Sequence, residues 1–339
     1  MYLKALVLAL VTTFSLMAQT STAYRITQSY PLGGNGGWDY IIVDPLNHRL
    51  YIARETRLMV VDEESGKLVG EVTGINGAHG TAIVAKNGHG FATAGEDKEV
   101  LMFDLRSLKI VSKAPAADDA DAILYDEASN RVFTLNGDAN SSTVIDASTG
   151  KLITNIPLNG KPEYGVSAGN GKVYANIADK SEIVEIDARE AKVTKRWSTG
   201  PCKQPVPLAI DKGNHRLFSG CRSGVMAVSD YIVGKVVTTV PIGSGADGAA
   251  YDPKVHNVFV SNADGTLSII HQDGADKYSV AQTLTTPIGS RNLGLDPLTH
   301  RLYVASAQFG ALPAGAKGKK PVLPGTFTLL RIEADSAKH

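Results

Sequence analysis

Cysteine is scarce: Cys202 and Cys221 are the only two in 339 residues. An even count in a chain that also carries an export-type leader favours a disulfide over a thiolate nucleophile. Net charge is absent, with 34 basic residues against 34 acidic ones, so no global field favours nucleic acid or an anionic membrane surface. Aromatic residues make up 6 % of the chain, which argues further against a base-stacking platform. No H-E-x-x-H, C-x-x-C-H or P-loop pattern occurs, and the enzyme classes built on those motifs lack support. The glycine-rich stretch Gly33-Gly34-Asn35-Gly36-Gly37 precedes a strand rather than joining a strand to a helix. It reads as a flexible lead-in loop, not a dinucleotide cradle. A membrane anchor needs about 20 apolar residues, and the apolar run near the N-terminus is shorter and is interrupted by Thr12, Thr13 and Ser15.

What that run does fit is a secretory signal over residues 1–23. Lys4 supplies the basic start, Ala5 to Met17 the apolar stretch, and Ser21-Thr22-Ala23 the small-residue cleavage site. The expectation is an exported protein, periplasmic or secreted, without a transmembrane anchor. Residues 24–339 then form a single domain, expected to be a monomer.

The rest of the chain is a repeat. The stretch Asp39–Val72 combines a short apolar run ending in Asp-Pro, a turn with His-Arg, an aromatic inside a second apolar run, and an Asp before a Gly-Lys turn. Variants of it continue to the C-terminus, and the aromatics Tyr51, Phe91, Phe133, Tyr174, Phe218, Phe259 and Tyr303 stand 40–44 residues apart. Short strands at a spacing of roughly 40–45 residues are the signature of propeller blades. Each unit divides into four strands at its turn residues. The last unit ends one strand early, and the unclaimed segment Tyr24–Leu32 alternates as a strand does. The fold expected is therefore an all-β, seven-bladed β-propeller of four-stranded blades, closed by one N-terminal and three C-terminal strands, which leaves no open sheet edge. A loop at residues 307–325, rich in Gly, Pro and Ala and carrying Lys317, Lys319 and Lys320, interrupts the last unit. It is either a solvated loop or a cover over a site.

Val258-Phe259-Val260-Ser261-Asn262, followed by Thr266-Leu267-Ser268-Ile269, resembles the Tyr-Val-Thr-Asn repeat that names the YVTN-type β-propellers of bacterial exported and surface proteins. Leu302-Tyr303-Val304-Ala305-Ser306 is similar, and Val173-Tyr174-Ala175-Asn176 is a looser copy. The resemblance runs from Gly36 to Glu333. It implies a fold and leaves function open, because the matched residues pack strands.

Comparison among the repeats separates common structure from exceptions. His48, His215, His256 and His300 each lie three residues before the aromatic, and such recurrence marks a turn rather than a metal ligand. His79 has no such counterpart. It falls, with Asp39, Asp121, Glu163, Val206, Asp247 and Arg291, at the start of the innermost strand of successive units. These positions are expected to ring one mouth of the central channel. Converging carboxylates repel one another and call for a compensating cation. A second tier of turn charges, namely Arg54, Glu96, Asp97, Asp138, Asp179, Arg222 and Asp264, is expected on the same face. Cys202 and Cys221 flank strands of one unit there, and a bond between them would close a loop of about 19 residues, worth roughly 3 kcal/mol.

Two functions are carried forward. In the first, the protein is a binding or scaffold protein of the bacterial cell envelope. Its partner is a small molecule or an envelope protein, recognised by Asp39, His79, Asp121, Glu163, Asp247 and Arg291. In the alternative, a divalent cation (Ca²⁺, Mg²⁺, Mn²⁺ or Zn²⁺) held by Asp39, Asp121, Glu163 and Asp247 serves a hydrolase or lyase resembling the lactonase-type propellers. His79 would be its general base and Arg291 would hold an anionic substrate. Haem with His79 as axial ligand is a weaker third reading.

Overall fold

A computed structural model of the chain describes residues 23–312, 318 and 320–335. The expected signal segment lies, but for Ala23, outside the described residues, as do Lys317 and Lys319 of the 307–325 loop.

The strands are short runs of β-branched and aromatic residues cut by turns. Their middle members are buried on both faces, as in Arg216–Cys221 and Asn257–Asn262, while outer strands such as Ile110–Pro115 alternate exposed and buried positions. Continuous apolar runs pack between neighbouring sheets; alternating runs meet water on one face.

Among the described residues the strands form six sheets. This corrects the expected seven four-stranded blades to six. Five sheets are four-stranded, and the first two repeat units share one six-stranded sheet that begins with Ile41–Asp44 and ends with Ile110–Pro115. The reason is local. Strand Arg49–Asp62 stays extended through Glu55, and strand Leu68–Val84 stays extended through Gly74 and Gly77. Ala78 pairs on one side with Glu55 and on the other with Ala94, so hydrogen bonding continues from the first unit into the second. The turn residues there were legible, but not that pairing would run through them.

Closure comes from the chain ends. Tyr24–Pro31 pairs antiparallel with Thr328–Ala334, in a sheet completed by Arg301–Ser306 and Arg291–Asp296. Trp38, Ile41, Leu50 and Ile52 pack against Tyr303, Ala305, Phe327 and Leu329 across the seam between the first and last sheets. All seven repeat aromatics are at most 2 % exposed. They fill the spaces between sheets, where truncating one to Ala costs about 3–5 kcal/mol.

The position three residues before each aromatic has positive φ in every unit: His48, Gly88, Asn130, Gly171, His215, His256 and His300. Gly, Asn and His are residue types that tolerate the left-handed region. The four recurring histidines are thus turn residues.

Cys202 and Cys221 form a disulfide, with Cα atoms 5.5 Å apart. The bond ties the segment before strand Pro205–Asp211 to the end of strand Arg216–Cys221. The double variant Cys202→Ser/Cys221→Ser is expected to lose about 3 kcal/mol of unfolding free energy. Urea denaturation checks this; a midpoint unchanged from wild type would show that the bond carries no stability.

Candidate functional site

The innermost strands break register at the channel mouth in every unit but the first, where Ile41–Asp44 pairs without a skip. Pairing skips between Ala78 and Thr81, Ala120 and Ile123, Pro162 and Gly165, Pro205 and Leu208, and Ala246 and Gly248. Those gaps contain His79, Asp121, Glu163, Val206 and Asp247. A bulge frees its residue from the ladder and re-aims the side chain, so the repeat itself delivers these side chains to the channel. In the closing sheet the skip falls between Arg291 and Leu293, at Asn292, whose φ is +57°.

Three ring residues meet directly. His79 Nδ1 lies 2.9 Å from Asp39 Oδ2 and 3.6 Å from Asp121 Oδ1. Asn292 Nδ2 donates to Asp39 Oδ1 at 2.9 Å. Asn292 was not singled out in the sequence, because its role depends on a bulge one residue displaced from Arg291. His79, Asp39 and Asp121 are partly buried, with side-chain exposures of 30, 32 and 21 %.

That setting shapes their charge. Burial alone would depress the His79 pKa, but the Asp39 hydrogen bond and the charges of Asp121 and Asp39 outweigh it and raise it to about 9. Burial and the Asp39 charge push Asp121 well above the ordinary carboxylate range, with His79 opposing. Glu163 is raised by burial, against the pull of Arg222 and Lys161. Burial also drives the Tyr40 hydroxyl far up, and Asp121, Asp39, Glu163 and Asp247 all add to it. Four carboxylates thus converge on Tyr40, whose ring packs 5.1 Å from that of Tyr164 beneath the ring.

Arg291 Nε stands 3.9 Å from Asp247 Oδ2, and its guanidinium covers the Trp38 ring at 4.8 Å. Trp38 returns an indole N–H to the Arg291 carbonyl at 3.3 Å. Above this floor opens a cavity of about 1180 Å³, lined by Asp39, His79, Arg291 and Trp38, by Glu55 and Thr56 of strand Arg49–Asp62, by Glu96 of a turn, and by Phe309, Pro321 and Val322 of the 307–325 loop. The base of that loop is a short hairpin: Phe309 bridges Val322, and Gly310 N–H donates to the Pro321 carbonyl at 2.9 Å. Its described part is therefore a wall of the cavity.

Arg54, expected as a turn charge, is fully buried. Its guanidinium donates to the carbonyls of Gly33, Asn35, Gly36 and Gly37 at 2.9–3.2 Å and stacks 3.9 Å from the Phe327 ring. Burial lowers its pKa to about 10. The glycine-rich lead-in is thereby fixed as a rigid cavity wall. Asp138 and Asp179 hold Lys161, through its side chain and its backbone N–H respectively.

No family model matches the chain. It is similar to two proteins named "Uncharacterized protein YncE". The one from Salmonella typhi is 25 % identical over 194 residues, covering 55 % of this chain and 54 % of that protein. The one from Salmonella typhimurium is 21 % identical over 179 residues, 50 % and 51 % respectively. The "Probable U3 small nucleolar RNA-associated protein 18" of Schizosaccharomyces pombe is 20 % identical over 250 residues, 70 % of this chain and 48 % of that protein. The chain spans about half the length of the curated relatives it matches. Among solved structures, Kuenenia stuttgartiensis hydrazine synthase superposes with a TM-score of 0.68 at 15 % identity, over 80 % of this chain and 92 % of that one. The fold is a β-propeller with distant YncE-like relatives. The YVTN type inferred from the repeat motifs gains no separate support from these matches.

Two outcomes are expected. Arg54→Met leaves four carbonyls without donors and costs at least about 3 kcal/mol; urea denaturation measures it, and a loss below about 1 kcal/mol would contradict the clasp. Asp39→Asn lowers the His79 pKa toward the ordinary imidazole value, read by NMR titration. The folded-state pKa of His79 is raised, so the pair's stabilisation is complete below the unfolded value of about 6.5. It is lost as pH rises through about 9. The stability gap between wild type and Asp39→Asn should accordingly close by pH ~10.

Proposed function

We propose that this protein is an exported, single-domain propeller that binds a small molecule at the mouth of its channel. The observation that carries the reading is the cavity of about 1180 Å³ standing over the Asp39–His79 pair and the Arg291–Trp38 stack. Concave sites with apolar walls and a few convergent polar groups are where ligands bind. Strongly perturbed titratable groups gather in the same place. The Cys202–Cys221 disulfide suits an oxidising compartment. Among the described residues no helix is long and apolar enough to cross a membrane. Export and the signal at residues 1–23 are part of this proposal, as is membership of the YVTN type.

Catalysis has no comparable support. A metal-assisted hydrolase or lyase remains the second reading, favoured by one observation: Asp39, His79 and Asp121 each offer a ligand atom within 4.8 Å of the others. Oxygen ligands with one imidazole suit Mn²⁺ or Zn²⁺, with Ca²⁺ or Mg²⁺ if His79 stays out. A cation there would take the place of the proton between His79 and Asp39, which makes His79 a ligand rather than a general base. Glu163 and Asp247 lie outside this trio.

A thermal-shift screen of small molecules tests the first reading, with Thr56→Phe as the pocket-filled control. A ligand at 100 times its Kd should stabilise wild type by about 2.7 kcal/mol and the filled variant by far less. Equal shifts in both would place binding elsewhere. Equilibrium dialysis followed by metal analysis tests the second, which predicts one Mn²⁺ or Zn²⁺ per chain, lost in His79→Ala.

A further inference from the structure

The closing strand Tyr24–Pro31 buries a single residue, and it is the first one; every later position is half-buried or exposed. Tyr24 is 4 % exposed and fills the space between the last two sheets, against Phe259 and Ile269 of one and Leu302 and Ile332 of the other. Its ring meets Phe259 edge-on with centroids 5.1 Å apart, and its hydroxyl oxygen accepts from Asn257 Nδ2 at 3.3 Å.

The backbone of the same residue is gripped too. Gln282 stands on strand Lys277–Thr285 of the neighbouring sheet. Its Oε1 accepts from the Tyr24 N–H at 2.7 Å, and its Nε2 donates to the Tyr24 carbonyl at 2.8 Å. One residue upstream the grip ends: Ala23 is exposed, and its carbonyl accepts from the Asp335 N–H at 2.6 Å. The Asp335 carboxylate lies at the same edge, 2.6 Å from Arg25 Nε. Ends of a chain are ordinarily its loosest part. Here burial and a two-point backbone contact begin together at the residue after Ser21-Thr22-Ala23, the small-residue cleavage pattern.

We propose that cleavage between Ala23 and Tyr24 makes the Tyr24 nitrogen an α-ammonium group and that Gln282 is its receptor, so that the mature N-terminus occupies a built site of the fold. This rests on the export reading above and adds where the chain is cut and what receives the new end. The step is hydrolysis. The Ala23–Tyr24 C–N bond breaks, water gives its hydroxyl to the Ala23 carbonyl carbon and a proton to the Tyr24 nitrogen, and the new acid passes its own proton to the amine. Positive charge strengthens the contact that the N–H already makes with Gln282 Oε1, and the Asp335 carboxylate at that edge favours the charged form. A cut one residue later would remove the only buried side chain of the strand, and a cut upstream would leave the Tyr24 nitrogen an amide. Docked Tyr24 is buried beyond the reach of a peptidase, so cleavage precedes closure of the propeller.

The full chain is produced in a bacterial host, fractionated, and the exported protein analysed by intact mass and N-terminal sequencing; its first residue should be Tyr24. The α-amine is then acylated with an activated ester at pH ~7, below its ordinary pKa of about 8, where only the unprotonated fraction reacts. Raising that pKa by one unit cuts the reactive fraction about tenfold. Folded protein should therefore acylate at Tyr24 at least about tenfold more slowly than the same protein in guanidinium chloride. Gln282→Leu should abolish this protection, whereas Gln282→Glu, which sets a carboxylate beside the ammonium, should keep it. If those variants fail to fold, the comparison of folded with denatured wild type decides. An exported protein that begins at any other residue overturns the inference and leaves export standing. A terminus at Tyr24 that reacts equally fast folded and denatured also overturns it. A chain kept in the cytoplasm with residues 1–23 attached overturns the inference and the export reading together.

Discussion

Everything at the channel mouth depends on the pairing of Tyr24–Pro31 with Thr328–Ala334. Without it the last sheet would lose its outer strand and the N-terminal segment leading to Asp39 its anchor, and Asp39 and Asn292, 253 residues apart, would have no reason to meet. The seam is reinforced on the far side by Glu63 and Glu64. Tyr303 Oη donates to Glu63 Oε1 at 3.0 Å, Tyr30 Oη donates to the Glu64 carbonyl at 2.9 Å, and Arg301 pairs with the Glu64 carboxylate. At the mouth, the reciprocal contact between Trp38 and Arg291 joins the same two sheets. The site is thus a product of closure: three of its central residues, Asp39, Asn292 and Arg291, sit on the seam.

A converging ring of carboxylates has to be held against its own repulsion. The structure divides that task. His79 stands between Asp39 and Asp121, Arg291 beside Asp247, and Lys161 with Arg222 faces Glu163. Tyr40 and Tyr164 sit beneath the ring, and their burial deepens the cost of leaving any of these charges unmet.

The wall of the cavity owes its shape to a different device. Five consecutive residues with four glycines would ordinarily be free to move. Arg54 removes that freedom by collecting four carbonyls of the segment while Phe327 covers its guanidinium. Among the described residues no carboxylate hydrogen-bonds this buried cation; four backbone carbonyls and Met59 Sδ accept from it, which makes its position sensitive to the path of Gly33–Gly37. Trp38 and Asp39 follow directly, so the order imposed on the glycines is passed on to the site.

By itself the sequence determined the repeat, the strands, the aromatics between them, the left-handed turn position shared by His48, His215, His256 and His300, and the approach of Cys202 to Cys221. These are local or periodic properties, set by residue type and by a spacing of 40–44 residues. The ring positions were legible because they stand at a constant offset from the repeat aromatic in most units, and in five units a bulge falls there. Tertiary structure alone decided the rest. It merged the first two units into one sheet, since whether Ala78 pairs with Glu55 depends on a partner rather than on either residue. It chose which ring members touch, brought Asn292 to Asp39, and turned Arg54 from a surface charge into a buried clasp. Each of those outcomes is a contact between residues distant in sequence, and no repeat pattern encodes the distance across a closed seam.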